Sequence, residues 1–258
     1  MDGPEDGAAV SAAGFGVKGP RGWVFRGVDI DAAPGALVAV EGPSGSGRTC
    51  LVLALTGRMR PAEGTATVAG LRLPKQMSAV RRVSALAHVP GVTDLDPALT
   101  VAEHIRERAL LQRRFDGSLR ALLRPRSVRR AEARQRIDTA LAAAGLDLDT
   151  LPKGPRTAVR DLERVEALRL SLALALVGRP RLIAVDDADL KLADAEQTEI
   201  WKQLRAVAAA GTTVVAVCSQ APDEADVVVS TAPARPTAVT TTPTDKETAD
   251  ALAETGRA

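Results

Sequence analysis

The stretch from Ala36 to Thr56, ALVAVEGPSGSGRTCLVLALT, limits what this chain can fold into more than any other. Four apolar residues (Leu37, Val38, Ala39, Val40) lead into Gly42-Pro43-Ser44-Gly45-Ser46-Gly47-Arg48-Thr49, and the chain turns apolar again from Leu51. A short apolar run, a glycine-rich turn and a second apolar run predict a buried strand, a tight loop and a helix. In that order the loop can turn its backbone N–H groups inward toward an anion, with a helix N-terminus behind them. The spacing G-x-x-x-x-G-[K]-[ST] is met everywhere except at the lysine, which is Arg48. The stretch therefore predicts a phosphate-binding loop over Gly42 to Thr49, with Cys50 just inside the helix.

The rest of the composition bounds the setting. A length of 258 residues suits one large α/β domain, or a core with a small appended lobe. The net charge of +2 gives no overall field toward nucleic acid, and an aromatic content of 2% leaves few platforms for stacking bases. Cys50 and Cys218 sit singly in apolar stretches and read as reduced core thiols of a cytosolic protein. No run approaches the roughly 20 apolar residues of a membrane span. The acidic start MDGPEDGAAV lacks a signal-peptide pattern, so any tie to a membrane is expected to come through a partner.

Along the chain, residues 1–12 are small and polar and are expected to be disordered. Trp23-Val24-Phe25 and Val28-Asp29-Ile30-Asp31 alternate like paired antiparallel strands, and Thr65 to Leu71 reads as a further short strand pair. Thr100 and Glu103 form a capping box that opens a mostly helical, arginine-rich segment of residues 101–145, broken at Pro125 and closed at Gly145. Helices are predicted over about 162–177 and 194–210, the second with Ile200, Leu204 and Val207 inward. Buried strands are predicted at Leu182 to Val185 and Thr213 to Cys218. Continuous apolar strands separated by helices imply a parallel sheet covered on both faces. The Thr/Ala/Pro-rich tail, 231–258, has little to bury and is expected to be disordered.

The strand ending in Asp186-Asp187 supplies what a phosphate site lacks. Mg²⁺ takes few protein ligands and leaves the remainder to water and phosphate. Thr49 would offer the hydroxyl and Asp186 the carboxylate, so both are candidate metal-site residues.

These motifs, with GTATVAG after the loop helix, DLDPALTVAEH before the helical segment and ALVGRPRLIAVDD before the acids, make the chain similar to nucleotide-binding subunits of the ATP-binding cassette (ABC) transporter family. The resemblance covers about residues 14–222. It implies an α/β P-loop NTPase (RecA-like) core with an antiparallel β lobe and an inserted helical lobe at about 95–165, together forming a domain of residues 13–230. It also implies ATP and Mg²⁺ as ligands, a homo- or heterodimer of cassettes, and coupling to a separate polytopic membrane permease, with no nucleic acid. Such a protein is cytoplasmic and peripheral to the inner face of the cell membrane. The alternative is a nucleotide-sensing pseudo-ATPase that regulates or scaffolds a membrane complex. A translation-type cassette usually carries two phosphate loops in one chain, and one is present here.

Several positions depart from the family pattern. Arg48 stands where the family has lysine; its wider fork is a poorer point charge for the β/γ-phosphates. The catalytic glutamate is Asp187, whose carboxylate is set back by about 1.5 Å. The histidine expected after the third buried strand is Ser219. The switch-loop glutamine is missing, with Gly91 or His88 nearest to its place. The signature segment is Leu162-Glu163-Arg164-Val165-Glu166, which would present two glutamates to a partner's γ-phosphate. These changes imply binding with slow hydrolysis. The base-stacking aromatic falls at Phe15, with Trp23 as the other candidate; His104 reads as a helix-surface residue. The eleven arginines between Arg106 and Arg136 read as a solvated face, or as a contact surface for anionic head groups or a membrane partner.

Overall fold

The computed structural model describes residues 7–115 and 125–232, so most of the C-terminal tail and the segment just before Pro125 lie outside the described residues. Two sheets organise it. The first is antiparallel, in the order β2-β1-β4-β5, from β1 (Val10–Gly19), β2 (Gly22–Ala32), β4 (Glu63–Val68) and β5 (Leu71–Leu73). The second is wholly parallel, in the order β6-β7-β8-β3-β9, from β3 (Leu37–Glu41), β6 (Ser84–Leu86), β7 (Leu182–Val185), β8 (Thr213–Val217) and β9 (Val227–Ser230).

The central parallel strands β3, β7 and β8 are almost wholly apolar because each feeds two cores. Leu37, Ala39, Ile183, Val185, Val214 and Ala216 point into one. Val38, Val40, Leu182, Ala184, Val215 and Val217 point into the other. This is the period of two of an extended chain with both faces covered. Each fully buried Val or Leu adds about 1.5–3 kcal/mol relative to exposure. One face is covered by α5 (Arg164–Leu176) and α6 (Asp194–Ala209). The other is covered by α1 (Arg48–Leu55) and the antiparallel sheet. A short helix, α2 (Met77–Val83), precedes β6; α3 (Val101–Phe115) and α4 (Arg126–Ala143) form the helical lobe.

Most predicted boundaries coincide with the structure. The Thr100 N–H donates to Glu103 Oε2 at 2.7 Å and the Glu103 N–H to Thr100 Oγ1 at 3.3 Å, a complete capping box. Gly145 closes α4 with φ of 66°.

Three expectations are corrected. Residues 7–12 are ordered structure: the Ala8 N–H donates to the Arg181 carbonyl, its own carbonyl accepts from Thr213, and Val10 pairs with Ala32. Trp23–Phe25 and Val28–Asp31 are one strand, β2, paired with β1 rather than with each other. The break between them is a bulge, with Gly27 at φ 69° and the register shifting between Phe15↔Val28 and Val17↔Phe25. His104 is buried, its Nε2 within 3.2 Å of the Asp96 carbonyl oxygen, because the capping turn folds back over the first turn of α3.

The edge strand β9 is held by Asp226, whose carboxylate accepts from the Leu37 N–H at 2.8 Å and from Arg205 of α6. The Arg205 hydrogen bond, then the Leu37 N–H, hold this carboxyl below its ordinary 3.8. A lowered folded-state pKa stabilises above the unfolded value and loses that contribution as pH falls through the folded one. Asp226→Asn is therefore expected to lower Tm at pH 7, with the gap to the parent closing as pH drops below 3.8, measured by scanning calorimetry across pH.

Candidate functional site

The carboxyl ends of β3, β7, β8 and β9 lie side by side, the usual place for a ligand on an open parallel sheet. From β3 the chain runs through Gly42 to Gly47 into α1. Gly42, Gly45 and Gly47 have φ of 151°, 81° and 87°. A Cβ on Gly47 would lie 2.7 Å from the Val24 carbonyl oxygen, so the loop packs directly on β2. Gly47 is also the N-cap of α1, makes no side-chain cap, and no acid occupies the first turn. The first-turn N–H groups of α1 thus lack any carboxylate of their own, and the helix dipole favours an anion there.

The second half of the site is equally local. Asp186, at the end of β7, is 2% exposed. Burial raises its pKa, the nearby Thr49 hydroxyl lowers it in part, and the Asp187 charge raises it further. Thr49 and Asp186, chosen from sequence more than 130 positions apart, are brought close together. They fit the hydroxyl-and-carboxylate set that suits Mg²⁺. Among the described residues no group of three or more His, Cys, Asp or Glu could hold a metal alone, so phosphate and water oxygens would complete the shell. Asp187 is half-buried with φ of 48°, a left-handed conformation that aspartate tolerates better than most residues.

Arg48 does not stand free over the loop: its Nη1 donates to the Cys218 carbonyl at 2.6 Å, at the end of β8. Its guanidinium is close enough to Asp186 to lower that pKa in part. Cys50 and Cys218 are both free thiols. Burial is the main cause of the raised pKa of each, with Cys218 pushed up to about 12. Ser219 is exposed, and its N–H donates to Asp189 Oδ2 at 2.7 Å.

Of the two switch-loop candidates, His88 is the one beside the acids. Its carbonyl accepts the Asp186 N–H at 2.6 Å. Its imidazole pKa is lowered by burial and by Arg164, against partial raising by Asp94, Asp186 and Asp187. Gly91 is exposed and its N–H donates to Asp94. In the signature segment the N-terminus of α5 is closed by its own glutamate. The Glu163 N–H donates to Glu166 Oε2 at 2.8 Å. Where α1 is open to an anion, α5 already carries the Glu166 carboxylate.

Phe15 is corrected. It is 0% exposed and packed against Phe25 with ring centroids 6.1 Å apart, so no face is open to a ligand. The strand alternation of β1 turns it into the core shared with Val17, Phe25 and Val28, whereas Trp23 on β2 is 42% exposed. Trp23 adjoins Val24, on which Gly47 packs, and carries the Arg26 guanidinium 4.7 Å from its ring centroid.

One residue escapes sequence reasoning entirely. Thr231, 6% exposed at the end of β9, shares a 2.6 Å hydrogen bond with Ser46 Oγ, and its N–H donates to the Glu41 carbonyl at 3.0 Å. It braces the phosphate loop from the side. No local pattern marks it, since it opens a Thr/Ala/Pro-rich tail. Thr231→Val, near in shape but without the hydroxyl, is expected to weaken triphosphate binding about three- to tenfold by titration calorimetry, the loss of roughly one hydrogen bond.

The family model for ABC transporters matches residues 25–189, more than half of the chain. Nod factor export ATP-binding protein I of Cupriavidus metallidurans is 28% identical over 193 residues, covering 74% of this chain and 56% of that protein. A putative ribose/galactose/methyl galactoside import ATP-binding protein of Rhizobium meliloti is also 28% identical, covering 74% of this chain and 34% of that protein. The chain thus spans about half the length, or less, of the curated relatives it matches. A dimeric bacterial ABC transporter cassette superposes with a TM-score of 0.66 at 19% identity, covering 86% of this chain and 94% of that one, a likeness of fold. With its open loop, its strand-end acid and a parallel sheet flanked by an antiparallel lobe, the chain belongs to the ABC transporter family, as a nucleotide-binding cassette.

Proposed function

We propose that this chain binds ATP with Mg²⁺ and, as one cassette of a homo- or heterodimer, couples that binding and a slow hydrolysis to a separate membrane permease. The observation that carries the reading is the uncapped N-terminus of α1 behind the Gly42–Gly47 loop, with the Thr49–Asp186 pair alongside. The loop N–H groups and the α1 dipole hold the phosphates, with Ser44 to Thr49 as the contact segment and Cys50 in the first helical turn. Thr49 and Asp186 would hold Mg²⁺, which supplies neutralisation of phosphate charge when bound.

Trp23, 42% exposed on β2, is the base platform in this reading, with the Lys18 and Arg26 cations 5.8 and 4.7 Å from its ring centroid. Asp187 is the acid nearest the place of the attacking water, and Ser219 stands beyond β8 without the reach of an imidazole. The printed names of the relatives, export and import ATP-binding proteins, support a transporter role. The dimeric cassette of like fold supports pairing. Among the described residues no helix is long and apolar enough to cross a membrane. On this reading the protein works at the cytoplasmic face of the cell membrane.

Titration calorimetry with ATP, with and without Mg²⁺, tests the reading. Saturable uptake strengthened by Mg²⁺ is expected; no uptake at millimolar ATP would end it. Trp23→Ala is expected to weaken ATP binding by about 1–3 kcal/mol, in line with base stacking, while leaving affinity for inorganic triphosphate unchanged. Equal losses for both ligands would remove Trp23 from the site.

A further inference from the structure

At the far end of α1 from the phosphate loop, Arg58 and Arg81 bind neighbouring carbonyls, and Arg108 reaches the same region from the helical lobe, near enough for its charge to act on Arg58. Arg58 follows the last turn of α1; its Nη1 donates to the Thr56 carbonyl at 2.9 Å and to Ser84 Oγ at 3.2 Å. Arg81, from the last turn of α2, donates through Nη1 to the next carbonyl along, that of Gly57, at 2.8 Å. Arg108 of α3 donates through Nε to the Leu174 carbonyl in the last turn of α5 at 2.9 Å.

Helix-end carbonyls explain why a cation sits at each position. They do not explain why three should gather. Each guanidinium has five donors in a rigid fork, and these bonds leave most of the donors of Arg81 and Arg108 unused. Among the described residues no carboxylate pairs with any of the three. Loss of solvent, then the charges of Arg81 and Arg108, press the Arg58 pKa below its ordinary value. The cluster therefore repels itself while its orientation is already fixed by main-chain bonds.

We propose that Arg58, Arg81 and Arg108 form a receptor for a phosphate-type oxyanion, separate from the nucleotide loop. Guanidinium forks match the oxygens of a phosphate in paired hydrogen bonds, and a dianion offsets the accumulated charge better than a single carboxylate does. The phosphate group is either free in solution or carried on a lipid head group. The proposal does not depend on nucleotide binding, since it uses the opposite end of α1 and a different set of side chains.

Arginine Nε–Hε resonances of the ¹⁵N-labelled full chain report on each guanidinium separately. Inorganic phosphate titrated at constant ionic strength is expected to shift Arg58, Arg81 and Arg108 together and saturably. Occupation of the nucleotide loop would appear instead at the Gly45 and Gly47 amides, so failure there and failure here are distinct. In Arg58→Gln/Arg81→Gln the affinity read at Arg108 should fall at least about tenfold. Should that variant not fold, Arg108→Gln read at Arg58 serves the same purpose. A parallel arm adds vesicles of phosphatidylcholine with and without phosphatidate. Saturation by free phosphate supports a soluble ligand, and a response only to phosphatidate vesicles supports a lipid head group. No saturable shift in either arm, or shifts unchanged in the variants, overturns the proposal. A response to a polyglutamate peptide but not to phosphate also overturns it and reassigns the cluster to an acidic protein partner.

Discussion

Gly47→Ala is expected to abolish measurable ATP binding while leaving a folded protein. The alanine methyl must fit where the Val24 carbonyl oxygen is 2.7 Å and its side chain 2.9 Å away, at a φ of 87°. The backbone conformation alone costs about 1–2 kcal/mol. The contact forces Gly47 to move, and with it the amides that open α1. Losing two charge-assisted hydrogen bonds of about 1.5–3 kcal/mol each weakens affinity by more than a hundredfold. Stability falls less, because α1 keeps Leu51, Val52, Ala54 and Leu55 buried. Calorimetry with ATP, beside a thermal melt of the same sample, separates the two effects. Retained micromolar affinity in Gly47→Ala would mean that the α1 amides do not hold the phosphates. Gly45→Ala is the useful contrast: at a φ of 81° it carries the same backbone cost, but a Cβ there meets nothing within 4 Å.

The second large effect concerns rate. Asp187→Glu is expected to raise ATP turnover about tenfold to a hundredfold with nucleotide affinity unchanged. The added methylene advances the carboxylate by about 1.5 Å, and misplacing a catalytic group by 1 Å can cost about a hundredfold. Its φ of 48° suits aspartate better than glutamate, so a lower Tm should accompany the gain. Phosphate release under single-turnover conditions is the measurement. If turnover stays at background in Asp187→Glu, the shorter acid is not what limits the chemistry. The closed α5 N-terminus and the bond from Arg48 to the Cys218 carbonyl then become the obstacles, and a nucleotide-sensing scaffold is the better description. A gain in Asp187→Glu instead marks the chain as a slowed enzyme.

How much was legible in the sequence differs from residue to residue for physical reasons. The loop was legible because a tight turn at positive φ needs glycine at fixed spacings and because a strand buried on both faces must be apolar throughout. Asp186 was legible for a related reason, as a charge at the end of such a strand. The Thr100–Glu103 box and the closing glycine Gly145 are likewise local chemistry. The β1–β2 pairing was misread because a bulge at Gly27 looks, in one dimension, like a turn. Phe15 was misplaced because aromatic character says nothing about which side of a strand is covered.

By itself, then, the sequence determined the phosphate loop, the helix that follows it, the strand-end acids and the parallel core, all set by residues within a few positions of one another. Tertiary structure alone decided that Thr231 braces Ser46 across 185 positions, and that Arg48 is tied to the end of β8. It also decided that His88 rather than Gly91 adjoins the acids, and that Trp23 rather than Phe15 faces out. The Thr231 and Arg48 contacts depend on β3 lying between β8 and β9, and the place of His88 on β6 pairing with β7, an order fixed by how the strands pack and not by any short run of residues.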